Sequence, residues 1–331
     1  MSTWIHSITD KVRRDEPLPF PIAGLLTLAT PIMRAGMYFR LRKPRVRVDA
    51  RVISFGNITA GGTGKTPAVI ERAHKEIQEG HRVAVLTRGY GARSKETMAV
   101  HVGKGSPELC DILGDEPALI ATRVPEALIV RCADRVSGAR KAISEYKCDS
   151  LILDDGYQYV QLERDENVLV IDSTNPFGNG KLVPRGMLRE PMEAMGRASH
   201  VILTRCDQAD SLEPVLDALE RFCPDAPIRR TRHVPSVLWR LSNGEQLSFE
   251  RLREERICAV CGIGNPEAFF ETLEKLGAEI TSRMAYPDHS PFPAEALPRD
   301  ILIVTTEKDA MRIEEPGTNV VALGIELEDM A

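Results

Sequence analysis

At 331 residues, 43% hydrophobic and 27% charged with a net charge of −5, the chain can bury a substantial core in one or two domains. The balance is that of an ordinary globular protein and gives no electrostatic reason to expect bulk nucleic-acid binding. Seven cysteines are an odd number, and Cys258-Ala-Val-Cys261 lies in an apparent strand without a second pair. They read as buried thiols of a reducing compartment, not as a zinc site.

No cleavable signal peptide is visible: the chain opens polar to Glu16 and lacks a small-residue cleavage pattern. Phe20 to Met33 is largely apolar, but Pro21 and Pro31 interrupt it, and it is shorter than the ~20 residues a spanning helix needs. Arg34, Arg40, Arg42, Lys43, Arg45, Arg47 and Arg51 follow closely, opposed only by Asp49. An apolar helix with a basic cluster suits an anionic membrane surface; a core-packing helix with a solvated basic tail is the alternative.

Residues 46–55 carry a compact run of β-branched and aromatic residues, Val46, Val48, Val52, Ile53 and Phe55, and read as a strand. The chain then turns through Gly56-Asn57 into a glycine-rich stretch and continues past Lys65-Thr66 with helical spacing to Glu79. Strand, glycine-rich turn, Lys-Thr, helix is the arrangement that wraps backbone N–H groups around a phosphate. Thr59, Ala60, Gly61, Gly62, Thr63, Gly64, Lys65 and Thr66 are therefore the expected nucleotide loop. Lys65 is expected on the terminal phosphates and Thr66 on Mg²⁺. The full pattern has glycine where this chain has Thr59.

Residues 81–87 predict the next strand and 92–114 irregular structure with a short helix. Gly114-Asp-Glu-Pro117 then starts a helix, since acidic residues and proline suit a first turn. A strand at 127–130 and a helix at 136–146 follow. Ser150-Leu-Ile-Leu-Asp-Asp-Gly-Tyr-Gln158 is an apolar strand that delivers two carboxylates, Asp154 and Asp155, at its C-terminal end, where open parallel sheets place their sites. In P-loop proteins a carboxylate there holds Mg²⁺. Strands at 168–172 and 199–204 flank a Gly/Pro-rich loop containing Arg185, Arg189 and Glu190.

Strands alternating with helices to about residue 230 predict an α/β fold: a P-loop, doubly wound, mostly parallel sheet in an α/β/α sandwich. Asn243-Gly244 is a hairpin signal between residues 237–241 and 245–249. A second, smaller α/β domain then begins at Ile257, with a helix at 266–276 and strands near 278–284 and 300–305. The expected division is 1–45 (interfacial segment), 46–232 (P-loop domain), 233–255 (two-stranded linker) and 256–331 (smaller domain).

Ala60 stands where partitioning-type ATPases carry a signature lysine, and Thr204-Arg-Cys-Asp207 has arginine where a guanine reader has lysine. A P-loop ATPase or GTPase acting as a switch or assembly factor is thus the rival reading; a non-catalytic membrane adaptor fits Lys65, Thr66 and Asp154-Asp155 poorly. Seven ordered blocks, covering nearly the full chain, together resemble the tetraacyldisaccharide 4′-kinase family of lipid A biosynthesis. They are Gly56–Pro67, Thr87–Gly91, Gly114–Pro117, Asp154–Gln158, Pro184–Glu190, Tyr286-Pro-Asp-His289 and Thr306-Glu-Lys-Asp309.

The resemblance implies ATP-dependent phosphorylation of the 4′-hydroxyl of a tetraacylated glucosamine disaccharide 1-phosphate. It also implies monotopic attachment to the anionic cytoplasmic face of a Gram-negative inner membrane, with no nucleic acid and no obligate protein partner. Carried over position by position, Asp115 looks like the catalytic base and His289 like its partner. Lys65 and Thr66 would hold the triphosphate and Mg²⁺; Glu116, Asp154, Asp155 and Gln158 belong to the magnesium and nucleotide shell. Arg189-Glu190 belongs to the catalytic loop. This chain has Tyr159 where the family commonly has histidine, and Ser290 after His289.

Overall fold

Several strands are buried along their whole length, and strands of that kind need cover on both faces. The structure, a computed structural model, describes residues 11–12, 16, 19–287, 297–298, 300–313 and 316–330. Helix α1 (Phe20–Leu41) is followed by β1 (Arg51–Gly56), α2 (Lys65–Gln78), β2 (Val83–Thr87) and β3 (Met98–His101). Next come α3 (Cys110–Leu113), α4 (Asp115–Arg123), β4 (Leu128–Cys132), α5 (Arg135–Tyr146), β5 (Ser150–Leu153) and β6 (Glu166–Asp172). The chain continues through β7 (His200–Thr204), α6 (Glu213–Phe222), β8 (Ile228–Arg240), β9 (Gln246–Leu247) and α7 (Arg251–Glu254). It closes with β10 (Arg256–Cys261), α8 (Pro266–Lys275), β11 (Glu279–Ala285), β12 (Leu302–Thr306), α9 (Glu307–Ala310) and β13 (Val320–Asp329). Every residue of β2, β4 and β5 is buried, as expected of strands covered on both faces of a parallel sheet.

The chain divides into two compact units. The first comprises Met1–Lys65, Asp149–Arg232 and Asp329–Ala331. Its strands run β8-β7-β6-β1-β5, all parallel, with β1 central between β5 and β6. The C-terminal ends of β1 and β5 are therefore side by side, and the loops that carry chemistry leave from there. Tyr157, Leu169, Leu203 and Leu219 anchor the core of this unit, and the Tyr157 hydroxyl donates to the Ala194 carbonyl at 2.8 Å.

The second unit comprises Thr66–Cys148 and His233–Glu328. In it β2 pairs parallel with β4, and β3 pairs antiparallel with β4. The later strands run β11-β10-β12-β13, all parallel, over a core that includes Phe270, Leu273, Val304 and Val321. Asn243-Gly244 turns β8 back onto β9 as an antiparallel hairpin, pairing Leu238 with Leu247. Cys258 and Cys261 are buried thiols, and burial pushes the Cys261 thiol up to about 12.

Three elements depart from expectation. The polar 92–114 stretch contains β3, a four-residue edge strand too short to show a period. Strand β8 is one 13-residue element that runs through Arg229, Arg230 and Arg232 before reaching the hairpin. Finally, α1 does not stop at its prolines. It is 22 residues long, and its stretch Phe20–Phe39 is long and apolar enough to cross a membrane by length and composition, with none of it buried in the fold. Pro21 occupies the first turn, where no intrahelical N–H is required, so only Pro31 interrupts the ladder.

Candidate active site

Strand β1 ends at Gly56, where any side chain is excluded: a Cβ would lie 2.6 Å from that of Tyr157. The chain then loops through Thr59–Gly64, with Gly61 (φ +126°) and Gly64 (φ +78°) in conformations that L side chains rarely adopt. Gly62 differs from its two neighbours. It lies outside the left-handed region, and a Cβ there would meet nothing within 4 Å. The fold itself therefore does not require glycine at position 62; the open space above it is what a ligand approaching the backbone needs. A second loop clamps the first. Ala60 N donates to Met187 O at 2.7 Å, Arg189 N donates to Ile58 O at 2.6 Å, and Thr59 bridges to Leu188. From beneath, the Thr204 hydroxyl donates to Thr63 O at 3.0 Å. Arg205 pairs with Asp172 and reaches Gly62 O at 3.5 Å. Thr204 and Arg205, the first two residues of Thr204-Arg-Cys-Asp207, thus support the loop.

Lys65 ends this loop and starts α2, with Thr66 as the helix's second residue. The Lys65 side chain is buried, and its Nζ donates to Asn57 Oδ1 at 3.3 Å and lies 3.4 Å from Asp155 Oδ1. Arg189 Nη1 contacts both oxygens of Asp155, at 3.1 and 2.8 Å. Burial alone would raise the Asp155 carboxyl, but the Lys65 ammonium and the Arg189 guanidinium outweigh it and hold the group at about 2. Asp155 itself sits at φ +51°, an uncommon conformation for a non-glycine residue and one that concentrates at functional sites. Asp154, the preceding residue, is buried at the end of β5.

Around this trio the remaining polar groups brace one another. Gln158 Nε2 donates to Asn57 O at 2.8 Å and to Glu190 Oε1 at 2.9 Å. Glu190 has no exposed surface, and Arg197 Nη2 reaches both of its oxygens at 2.8 Å. The Arg197 guanidinium in turn lies 4.7 Å from the centroid of the Tyr157 ring. Sequence reasoning alone does not find Asn57 and Arg197. Asn57 carries a signal, its place between the β1 end and the glycines; Arg197 carries none.

In the second unit, Gly114 (φ +96°) lets the chain pass Tyr90, since a Cβ there would meet Tyr90 O at 2.5 Å. Asp115 follows as the first residue of α4, 5% exposed, where a helix N-terminus favours a carboxylate. Its Oδ1 accepts from Glu116 N at 2.9 Å, and its Oδ2 lies 3.8 Å from Arg312 Nε. Glu116 Oε1 pairs with Lys308 Nζ at 3.1 Å. His289 lies outside the described residues.

A parallel sheet, a glycine loop closing on a lysine at a helix start, and paired carboxylates at the next strand end define a P-loop protein of the α/β class. Known proteins narrow this further. A sequence model of the family described as tetraacyldisaccharide-1-P 4′-kinase matches residues 17–329. The chain is 41% identical over 308 residues to a tetraacyldisaccharide 4′-kinase of Anaeromyxobacter sp. (strain K), covering 89% of this chain and 81% of that one. It is 42% identical over 301 residues to that of Syntrophus aciditrophicus (strain SB), covering 85% and 80%. Its fold is similar to a crystal structure of LpxK from Aquifex aeolicus in complex with ATP, with a TM-score of 0.75, 27% identity and 93% of each chain covered. The chain belongs to the tetraacyldisaccharide 4′-kinase family.

Proposed function

We infer that this protein transfers the γ-phosphoryl group of ATP to the 4′-hydroxyl of a tetraacylated disaccharide 1-phosphate in lipid A biosynthesis. The observation that carries the chemistry is the Lys65–Asp155–Arg189 cluster on the glycine loop: two cations held over a phosphate cradle by one ionised carboxylate. The family supplies the acceptor.

The roles follow from charge. Backbone N–H groups of Gly61–Gly64, that of Gly62 among them, donate to phosphate oxygens, since Ala60 N is committed to Met187 O, and Lys65 and Arg189 neutralise the charge that spreads over the transferred group. Mg²⁺ suits the carboxylates present, because Asp154 is buried at the strand end and Asp155 stays ionised near neutral pH. These two and the Thr66 hydroxyl would hold the ion, which supplies electrostatic neutralisation of the phosphates when bound. Glu116, engaged by Lys308, suits positioning better than ligation, whereas Gln158, whose amide nitrogen is committed to Asn57 and Glu190, can turn its amide oxygen to the magnesium and nucleotide shell. Glu190 braces the loop through Arg197.

A sugar hydroxyl is a poor nucleophile at neutral pH, so a carboxylate that accepts its proton during attack lowers the barrier. Asp115 takes that role, with His289 as its partner. In this reading residues 46–232 form the kinase domain, 233–255 a linker and 256–331 a smaller domain, while residues 1–45 attach to the cytoplasmic face of the inner membrane. The deciding experiment is incubation with γ-labelled ATP, Mg²⁺ and tetraacyldisaccharide 1-phosphate. Label in the lipid is expected; ATP hydrolysis without lipid labelling would restore the switch-ATPase reading.

A further inference from the structure

Residues 306–312 contribute more to the second unit than an ordinary strand-to-helix turn. Thr306 caps α9, its hydroxyl accepting from Asp309 N at 3.1 Å and donating to Asp309 Oδ2 at 2.7 Å. Asp309 is fully buried, and its Oδ2 also accepts from Gly262 N at 2.9 Å. Its other oxygen pairs with Arg312 Nη2, which donates a second bond to Gly262 O at 3.2 Å. Two bonds thus fix the guanidinium at Nη2, and its Nε edge faces Asp115 Oδ2 at 3.8 Å as an ion pair.

The same anchor touches the exit of β11. Tyr286 N donates to Cys261 O at 2.8 Å, and a Cβ on Gly262 would lie 3.4 Å from both Pro287 O and Arg312 Nη2. Tyr286-Pro287 opens the Tyr-Pro-Asp-His block. One arginine therefore connects Asp115, the Thr306–Asp309 turn and Gly262, which lies beside the start of that block. Held at Nη2 by two acceptors, a planar guanidinium can fix the direction of a neighbouring carboxylate in a way that a flexible ammonium cannot.

We propose that Arg312 is a positioning residue for phosphoryl transfer: clamped by Asp309 and Gly262, it orients the Asp115 carboxylate toward the acceptor hydroxyl. The inference rests on the kinase reading above, and it concerns orientation only. Misplacing a reacting group by about 1 Å can cost on the order of 10²-fold in rate.

The test is a double-mutant cycle on the full-length enzyme, read by single-turnover transfer of label from ATP to the lipid. Arg312→Lys keeps a cation beside buried Asp309 and so protects the fold. It is expected to lower kcat by about tenfold or more while the KM values for ATP and lipid change less than about twofold. On an Asp115→Asn background the same substitution should cost less than about threefold, because orientation no longer matters. Arg312→Ala should regain activity with added guanidinium at sub-denaturing concentration, and Asp115→Asn should not. Equal losses on both backgrounds, or unchanged kcat in Arg312→Lys, would overturn the proposal. Failure of the kinase reading looks different: the wild-type protein itself would leave the lipid unlabelled.

Discussion

Lys65 Nζ stands 3.4 Å from Asp155 Oδ1, and Arg189 closes the other side of the same carboxylate at 2.8 Å. Two like charges are thereby held close together by one anion, in a left-handed backbone conformation that the surrounding loops enforce. On the kinase reading proposed above, phosphate oxygens that enter the cradle replace part of what Asp155 offers, and the cations turn to the ligand without a new search for their positions. In that reading the pairing is preorganisation for a polyanion.

The first prediction concerns acid. The folded Asp155 carboxyl lies at about 2, below the unfolded value near 3.9. A depressed carboxylate contributes stability that is complete above the unfolded value and is lost as pH falls through the folded one. Wild type and Asp155→Asn should therefore differ in stability at pH 5 and above and converge between about pH 4 and 2. Chemical denaturation at a series of pH values measures this; a gap that persists unchanged to pH 2 would contradict the pairing. Asp155→Asn should also lower kcat by about 10²-fold, as removal of a single charge-organising group does.

Arg189 and Glu190 are neighbours with opposite jobs, which gives the second prediction. The Arg189–Asp155 pair is about one-third exposed on both sides, so its loss costs stability only about 0–1 kcal/mol. Glu190 is completely buried against Arg197 and Gln158, and removing it strands a cation, at a cost of about 3 kcal/mol. Arg189→Ala should leave the melting temperature nearly unchanged and depress transfer, whereas Glu190→Ala should lower the melting temperature by several degrees. Thermal melts beside initial rates separate the two.

How much of this is legible follows from sequence distance. The glycine loop, Lys65, Thr66 and Asp154-Asp155 are local patterns: strand end, turn and helix start lie within a dozen residues, so their chemistry is written in order. Braces such as Gln158–Glu190 and Arg197–Glu190, and the Arg312–Asp115 pair, join residues from 7 to almost 200 positions apart, and an arginine in a loop has no period to betray it. Strand β8 hides behind Arg229, Arg230 and Arg232, because two adjacent arginines break the apolar-polar alternation that marks a strand in sequence. Pro21 reads as a breaker in the sequence, yet it sits where a helix tolerates proline.

Asp115 supplies the third prediction. If it accepts the hydroxyl proton, Asp115→Ala should reduce kcat by about 10²-fold or more, with little change in the KM for ATP. The carboxylate is buried and already braced by Glu116 N and Arg312, so the substitution must be checked for folding by its melting temperature. Wild-type turnover in a folded Asp115→Ala variant would remove Asp115 from the role.

The last prediction separates two ways in which α1 can meet a bilayer. By length and composition Phe20–Phe39 can span, but Arg34 falls inside it, Pro31 breaks its ladder, and Arg40, Arg42, Lys43, Arg45 and Arg47 crowd its C-terminal end. A helix with an interior arginine and a basic end favours lying at an anionic interface, where the charges reach headgroups while Phe20, Leu25, Leu28 and Phe39, all exposed, enter the acyl boundary. In that arrangement both ends lie on the same side of the bilayer. Cysteines introduced by Glu16→Cys and Lys43→Cys should then react with a membrane-impermeant maleimide from the same side of sealed inner-membrane vesicles. Opposite sidedness would establish a spanning helix. Deleting residues 1–41 should lower membrane recovery and activity on micellar lipid while sparing ATP binding, and full recovery of the truncated protein in the membrane fraction would refute attachment through this segment.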